Sequence, residues 1–455
     1  MAPPDKSEII FLIRAYNDMD IQMSLVHEFA KDERFNIRVI GYPCDGDMGS
    51  PQSHEAARYM YDKYGVSFET VLDKAPAPFH LRLMYKFERF IAPLRHKSWA
   101  DNIVVGSVLK TLHLAVLVPM RKMLKGELPW LDKIAESWDP VFINCDEAVL
   151  QKGRAYILDK YVSSMSARGV HVYAIQTGQT AYYDASPNKA SIEVSENMKT
   201  LQCLKGCVHR FTVPAKLDSD VVRERSPNLK PEVHGNLRMD RSWIKRLHEE
   251  ILVPPYMNKK AYMDKLPQGK GPKVVFMLSK LGYGIKVDEL KDSIKLVADM
   301  PGVSCAIKPH TRGMKFDFMD PKQLSDTVIV PDIPSALLIE WADILLFTGS
   351  SIAFHAMILN KRVGFLQNAQ YIPTIFDDGL SCDKFDTNEQ LQAFLENWRD
   401  NGEPEVDAET LKARHKWQAD NIHGGLESGL TAQHYKDLYL GDLKVLKNPH
   451  QRKVS

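Results

Sequence analysis

The chain has 455 residues, well above the ~100–200 of one domain, so two domains are expected. Hydrophobic residues make up 44% and charged residues 26% of it, ordinary for a globular protein able to bury large cores without staples. The net charge of +1, from 59 Lys and Arg against 58 Asp and Glu, argues against bulk affinity for nucleic acid, and no nucleic-acid partner is expected.

The six cysteines, Cys44, Cys145, Cys203, Cys207, Cys305 and Cys382, show no disulfide spacing and point to a reducing, cytoplasmic compartment. Cys203-x3-Cys207 with His209 is half a metal site without a second half nearby, whereas zinc takes four ligands; buried thiols are the favoured reading and no metal is expected. The first residues, MAPPDKSEIIFLIRAY, lack the basic-then-apolar order of a signal peptide. No stretch of about 18 uncharged apolar residues is present to span a membrane.

In chain order, Glu8–Ile13 predicts a buried strand, followed by a loop with Asn17-Asp18-x-Asp20 and a helix through about Asp32. Ile37–Gly41 predicts a second strand, Pro43–Pro51 a polar loop, His54–Tyr64 a helix and Glu69–Leu72 a short strand. This alternation implies a parallel sheet covered by helices on both faces. Residues 79–125 then change character. Nine Lys/Arg (82, 86, 89, 95, 97, 110, 121, 122, 125) stand against Glu88 and Asp101, a net of +7, with apolar and aromatic residues between them. The pattern suits one or two amphipathic helices. They are read either as a peripheral contact with the inner face of a membrane or a lipid-linked acceptor, or as core helices with solvated faces. Strands follow at Val141–Asn144, His171–Gln176 and Cys207–Val213, and the charged, proline-bearing stretch 214–232 reads as a linker.

The second domain opens on His-Gly-Asn-Leu-Arg-Met-Asp (234–240). Strands are predicted at Lys273–Leu278, Val303–Lys308, Thr327–Val330, Ile344–Phe347 and Arg362–Leu366. Helices are predicted at about 287–299, 333–341, 352–359, 387–399 and 407–420, with a loose polar tail from about 440.

Ligands of open parallel sheets bind beyond the C-terminal ends of the strands. The residues there are Ser279-Lys280, then Lys308-Pro-His310-Thr-Arg312, then Thr348-Gly349-Ser350-Ser351. The last group leads straight into a helix, whose backbone N–H groups and dipole suit a diphosphate without a metal. The blander reading has Ser350 or Ser351 capping that helix and Lys308 and Arg312 solvated.

From about Val233 to Leu366 the chain resembles the C-terminal domain of GT-B glycosyltransferases that build surface or capsular polysaccharides. It is also similar to CDP-glycerol glycerophosphotransferases and to UDP-N-acetylglucosamine 2-epimerase. The matching pieces are Gly235-Asn236-Leu237-Arg238-Met239-Asp240, Lys308-Pro309-His310, and Ser350-Ser351-Ile352-x-Phe354 through Asn360-Lys361-Arg362-Val363. The resemblance implies two Rossmann-like, doubly wound α/β domains facing a cleft: an acceptor-side domain over 1–225, a nucleotide-sugar domain over 235–400, and C-terminal helices over 401–455 that pack back on the first domain. It implies that Lys308 and His310 face donor phosphates and that Ser350 and Ser351 hold the diphosphate; Arg238, Ser279, Lys280, Arg312, Thr348, Gly349 and His355 are read as the rest of the donor side. His355 departs from the family's acidic residue at a position that contacts the donor's ribose. Thr177-Gly178 stands where the teichoic enzymes carry a His-Gly base.

The implied function is transfer of a sugar from a nucleotide-activated donor to a carbohydrate or lipid-linked acceptor, the nucleotide sugar being substrate and no cofactor being required. An inverting transfer needs a base on the acceptor hydroxyl. Asp20 or Asp18 is favoured, with Asp45, Asp47, Asp146 and Glu147 as further candidates and helix capping as the alternative role. Asp18-x-Asp20 and Asp45-Gly-Asp47 also match the metal-holding Asp-x-Asp of another transferase fold, which a second α/β domain disfavours. Competing functions are a nucleotide-sugar 2-epimerase and a non-catalytic nucleotide-sugar-binding or assembly protein.

Overall fold

A computed structural model describes residues 6–13, 16–41, 54–70, 103–124, 140–147, 158–176, 178–179, 181–182, 207–225, 229–282, 284–310 and 318–447, with residues 79, 83, 86, 87 and 316 singly. In the first domain β1 (Ser7–Ile13) leads to α1 (Tyr16–Ala30), β2 (Phe35–Gly41) to α2 (Glu55–Tyr64), and β3 (Ser67–Thr70) is followed by α3 (Ile103–Leu124). Then come β4 (Pro140–Asp146), α4 (Leu158–Ala167), β5 (His171–Ile175), β6 (Arg210–Val213), α5 (Lys216–Arg225) and β7 (Pro231–Val233). All seven strands are parallel, in the order β3-β2-β1-β4-β5-β6-β7. The unbroken apolar run of β1 suits its central place: Ile9 through Ile13 are fully buried, as a strand covered by helices on both faces requires.

The second domain contains α6 (Arg241–Arg246), a π-helical turn (Leu247–Ile251), α7 (Lys259–Met263), β8 (Lys273–Met277), α8 (Val287–Ala298), β9 (Ser304–Lys308) and β10 (Val328–Ile329). The chain continues with α9 (Ser335–Trp341), β11 (Ile344–Phe347), α10 (Ile352–Ile358), β12 (Arg362–Leu366), β13 (Asp383–Phe385), α11 (Asn388–Asn401), α12 (Ala408–Asn421) and α13 (Thr431–Lys447), the last of which returns to the first sheet. The six strands of the second domain are also all parallel, ordered β10-β9-β8-β11-β12-β13. Each sheet reverses direction between its first and fourth strands, so both domains are doubly wound and Rossmann-like.

Several expectations are corrected. The stretch 214–232, read as a linker, forms α5 and enters β7, the last strand of the first sheet. Lys216, Asp220, Arg223 and Glu224 of α5 are exposed, while Val222 and Asp218 are buried. Asp18 and Asp20 lie in the first turns of α1 rather than in a loop. The tail expected from 440 is helical through Lys447, because Tyr435 and Tyr439, four residues apart, bury one face of α13 against the first sheet. The ring of Tyr439 stacks on Tyr173 of β5 at 3.7 Å between centroids, and its hydroxyl donates to Asn144 Oδ1 of β4 at 2.9 Å. Of the basic segment 79–125, helix α3 is described, with Val108, Leu112, Leu114 and Val118 exposed. Among the described residues no helix is long and apolar enough to cross a membrane.

The return of α13 is anchored on the Gly235–Asp240 segment. Buried Asp240 Oδ1 accepts the N–H of Trp243 in α6 at 2.8 Å and the Ser242 hydroxyl at 2.6 Å, and its Oδ2 accepts the N–H of Ala432 in α13 at 2.9 Å. One carboxylate therefore serves two helix N-termini, where both the unpaired N–H groups and the dipole favour an anion. Gly235, at φ +91°, passes so close to the chain at His423 that a Cβ would meet the His423 carbonyl at 2.8 Å. Asn236 N–H donates to Ile422 O at 2.8 Å and the Tyr435 hydroxyl to Gly235 O at 3.1 Å.

Asp240→Ala removes both caps at once. With each cap worth roughly 0.5–2 kcal/mol, the loss expected in urea unfolding is about 1–4 kcal/mol. A loss below about 0.5 kcal/mol, ordinary for a surface site, contradicts the double-cap role.

Candidate active site

The topology of the second sheet puts its crevice between the ends of β8 and β11. Two of the three loops expected there meet. Ser279 Oγ donates to Thr348 O at 2.9 Å, and both residues are buried. Gly349 follows at φ +73°, and a Cβ on it would lie 2.8 Å from the Tyr182 hydroxyl. Only a glycine lets this residue of the first domain stand over the turn. Ser351 precedes α10 without using its side chain to cap it, so its hydroxyl is not committed to the helix. Ser350 and Lys280 stand beside these residues, half-buried. His310 lies two residues beyond β9, and Arg312 lies outside the described residues. Lys308, at the end of β9, is buried with its ammonium donating to the Pro331 carbonyl. Burial pushes that ammonium down to about 8, against the pull of Asp332.

A cavity of about 330 Å³ lies between the two domains. Its walls include Asp20 and His54 from the first domain, Arg238 and Trp243 from the junction, and Ser335 and His355 from the second. His54 Nε2 is 3.1 Å from Asp20 Oδ1, and Arg238 Nη2 is 3.6 Å from Asp20 Oδ2. Burial works against the Asp20 carboxylate. The hydrogen bond to His54 and the charges of Arg238, His54 and His355 outweigh it and hold the carboxyl below its ordinary value. Burial likewise works against charged His54, and the hydrogen bond and charge of Asp20, with Glu55, outweigh it and raise that imidazole. On the opposite wall His355 Nε2 lies 3.0 Å from His248 Nε2, and His248 Nδ1 lies 3.3 Å from Glu340 Oε2. Burial first, then His248 and Arg238, push His355 down to about 3 despite Asp20, so it is neutral.

The cavity thus unites Asp20, Arg238 and His355 of the residues expected from sequence, while Ser279 meets the Thr348–Ser351 turn at the sheet crevice and the Lys308 ammonium is turned to Pro331. Nothing is described of the Asp18 side chain, and Asp45, Asp47 and Cys203 lie outside the described residues. Asp146 is fully buried at the end of β4. Among the described residues no three His, Cys, Asp or Glu side chains form a metal-ligand group. His54, His248 and Glu340 escaped sequence reading. His54 alone carried a signal, since it opens the helix after β2 on the same sheet end as Asp20; the pairing across 34 positions did not show in any spacing.

No protein-family model and no curated protein matches the chain. Solved structures do. UDP-GlcNAc 2-epimerase from Neisseria meningitidis, bound to UDP-GlcNAc, matches with a TM-score of 0.54 at 12% identity, over 95% of this chain and all of that one. Another UDP-N-acetylglucosamine 2-epimerase matches with a TM-score of 0.55 at 12% identity, over 96% and 97% of the two chains. UGT71G1 of Medicago truncatula, complexed with UDP-glucose, matches with a TM-score of 0.50 at 11% identity, over 96% and 98%. The chain has the GT-B fold. At these identities the likeness is one of fold, and transferases and epimerases share it.

Proposed function

We propose that this GT-B protein is a metal-independent nucleotide-sugar glycosyltransferase acting in surface-glycan synthesis on the cytoplasmic side of the membrane. The observation that carries the reading is the Asp20–His54 pair, with Arg238 beside it, on one side of the interdomain cavity, facing His355 on the other. The Asp20 carboxylate takes the proton of the acceptor hydroxyl, and His54 and Arg238 orient it and keep it ionised. Arg238 balances Asp20 and, with His310, Ser350 and Ser351, offers donors to the departing diphosphate. The acceptor, a glycan or a lipid-linked sugar, enters from the first domain, where the exposed apolar residues of α3 suit a lipid surface. Failure of anionic vesicles to retain the protein at low salt would remove that lipid contact.

The acid and base groups around one cavity, Asp20, His54, Glu55 and His355, also support a second reading, epimerisation of the sugar, which needs acid and base but no acceptor. Product analysis separates the two: a glycoside formed on added acceptor marks a transferase, a sugar epimer formed without one marks an epimerase.

The pH dependence follows from Asp20. Burial opposes its charge, but His54 and Arg238 hold its pKa below the ordinary value, and it must be ionised to act, so turnover is lost only as pH falls through that lowered value. His54→Ala removes the hydrogen bond that lowers it, so the acid limb of the pH–rate profile moves to higher pH. Asp20→Asn lowers turnover about 10²–10⁴-fold. An unmoved limb in His54→Ala, or full turnover in Asp20→Asn, would show that another group is the base.

A further inference from the structure

His355 on the second-domain wall of the cavity heads a file of three side chains, the other two behind it, that the transfer chemistry leaves without a role. Glu340 stands on α9, His248 on the π-helical turn, and His355 on α10. The Glu340 carboxyl is held below its ordinary value: burial opposes this, and Lys259 and His248 outweigh it. Glu340 is therefore ionised and can only accept, so His248 Nδ1, 3.3 Å away, must carry a hydrogen. Burial lowers the pKa of His248, with Lys259 and Lys361 adding to it against Glu340, so the ring is neutral at pH 7 and its Nε2 is a lone pair. The 3.0 Å contact to His355 Nε2 then requires the hydrogen to sit on His355 Nε2. His355 is itself neutral, which leaves a lone pair on its Nδ1. Among the described residues that nitrogen meets no hydrogen-bond partner, and the ring lines the cavity.

We propose that Glu340 and His248 are positioning residues that lock His355 in its Nε2–H tautomer, so that Nδ1 offers the cavity an uncharged acceptor for a ligand hydroxyl. This rests on the nucleotide-sugar reading for the identity of the ligand. An acceptor without charge pairs with a hydroxyl and leaves an ether, keto or phosphate oxygen unpaired, so it selects for the hydroxyl. The groups facing His355 hold it in that state. His248 from the π-helical turn and Arg238 from the junction oppose its protonation, Asp20 of α1 favours it, and burial decides for the neutral ring. The hydroxyl can belong to the ribose or to the transferred sugar.

The test is nitrogen NMR of the full chain labelled with ¹⁵N-histidine, with His355 assigned by its loss in His355→Phe. The wild type should show neutral His355 with its hydrogen on Nε2, unchanged from pH 7.5 to pH 5. His248→Gln should keep that state, since the amide oxygen accepts from His355 while its NH₂ donates to Glu340. His248→Leu should release a mixture of tautomers. A His355 that titrates near 6.5, that carries its hydrogen on Nδ1, or that ignores His248→Leu overturns the lock, and a folding defect in the leucine variant leaves the wild-type and glutamine spectra to decide. Added UDP should then shift Nδ1 if the hydroxyl is the ribose's, and UDP-glucose or UDP-GlcNAc alone should shift it if it is the sugar's. His355→Phe should weaken the ligand that shifts Nδ1 about tenfold. A melting-temperature rise with UDP-glucose or UDP-GlcNAc that leaves Nδ1 unmoved overturns the acceptor role but spares the nucleotide-sugar reading. No rise with any nucleotide sugar sinks that reading and the hydroxyl assignment with it, while the tautomer spectra still judge the lock.

Discussion

The carboxylate of Asp240 holds the first turns of α6 and α13 together, and the cleft depends on that contact. Without it, both helix N-termini lose the anion they share, and the crossing segment 234–240 is left to its contacts with Ile422, Tyr435 and Ser24. With it, Tyr435 reaches the Gly235 carbonyl and Tyr439 reaches Asn144 deep in the first sheet. Asn144 in turn donates to Gln22 Oε1 at 2.9 Å, and Gln22 donates to Leu12 O at 2.9 Å, so β1, α1, β4 and α13 share one buried polar chain. Every donor in that chain has an acceptor, which is what makes a polar file tolerable in an otherwise apolar core.

The same anchoring sets the electrostatics of the cavity. Arg238 lies between Asn236, which caps its backbone N–H, and Asp240, and is thereby placed against Asp20 of α1. Ser24, one turn further along α1, donates to Leu237 O at 2.7 Å and fixes the spacing of α1 from the junction. A carboxylate held between an imidazole and a guanidinium stays ionised despite partial burial, because its partners compensate the lost hydration. Across the cavity, His355 has no anion of its own and stays neutral. The two walls therefore differ in kind, one a charged pair and the other an uncharged acceptor.

Much of this was legible in the sequence. Fully buried parallel strands read as continuous apolar runs, and residues 274–277, 305–307, 344–347 and 363–366 are such runs bounded by polar residues. Once those strands were placed, topology alone indicated Ser279 and Thr348–Ser351 as crevice residues. What escaped depended on contacts between distant positions. The charges of 214–232 masked a helix and an edge strand whose buried positions are few. The polar look of 440–447 hid a continuation of α13, whose buried tyrosines lie in the turns before it. Asp240 was visible as part of a motif, but its role as a shared cap needed Ala432, 192 positions away. His248 and Glu340 lie 92 positions apart, and no local spacing announces their pairing.

The most direct test of the account is a thermal-shift screen of the full chain against UDP-, GDP-, CDP-, CMP- and dTDP-sugars, each with Mg²⁺ and with EDTA. A ligand that binds only the folded state raises the melting temperature in proportion to RT ln(1 + [L]/Kd). The account predicts a shift from one nucleotide family that survives EDTA and is lost in His310→Ala. A shift that requires Mg²⁺, or none from any nucleotide sugar, would contradict it.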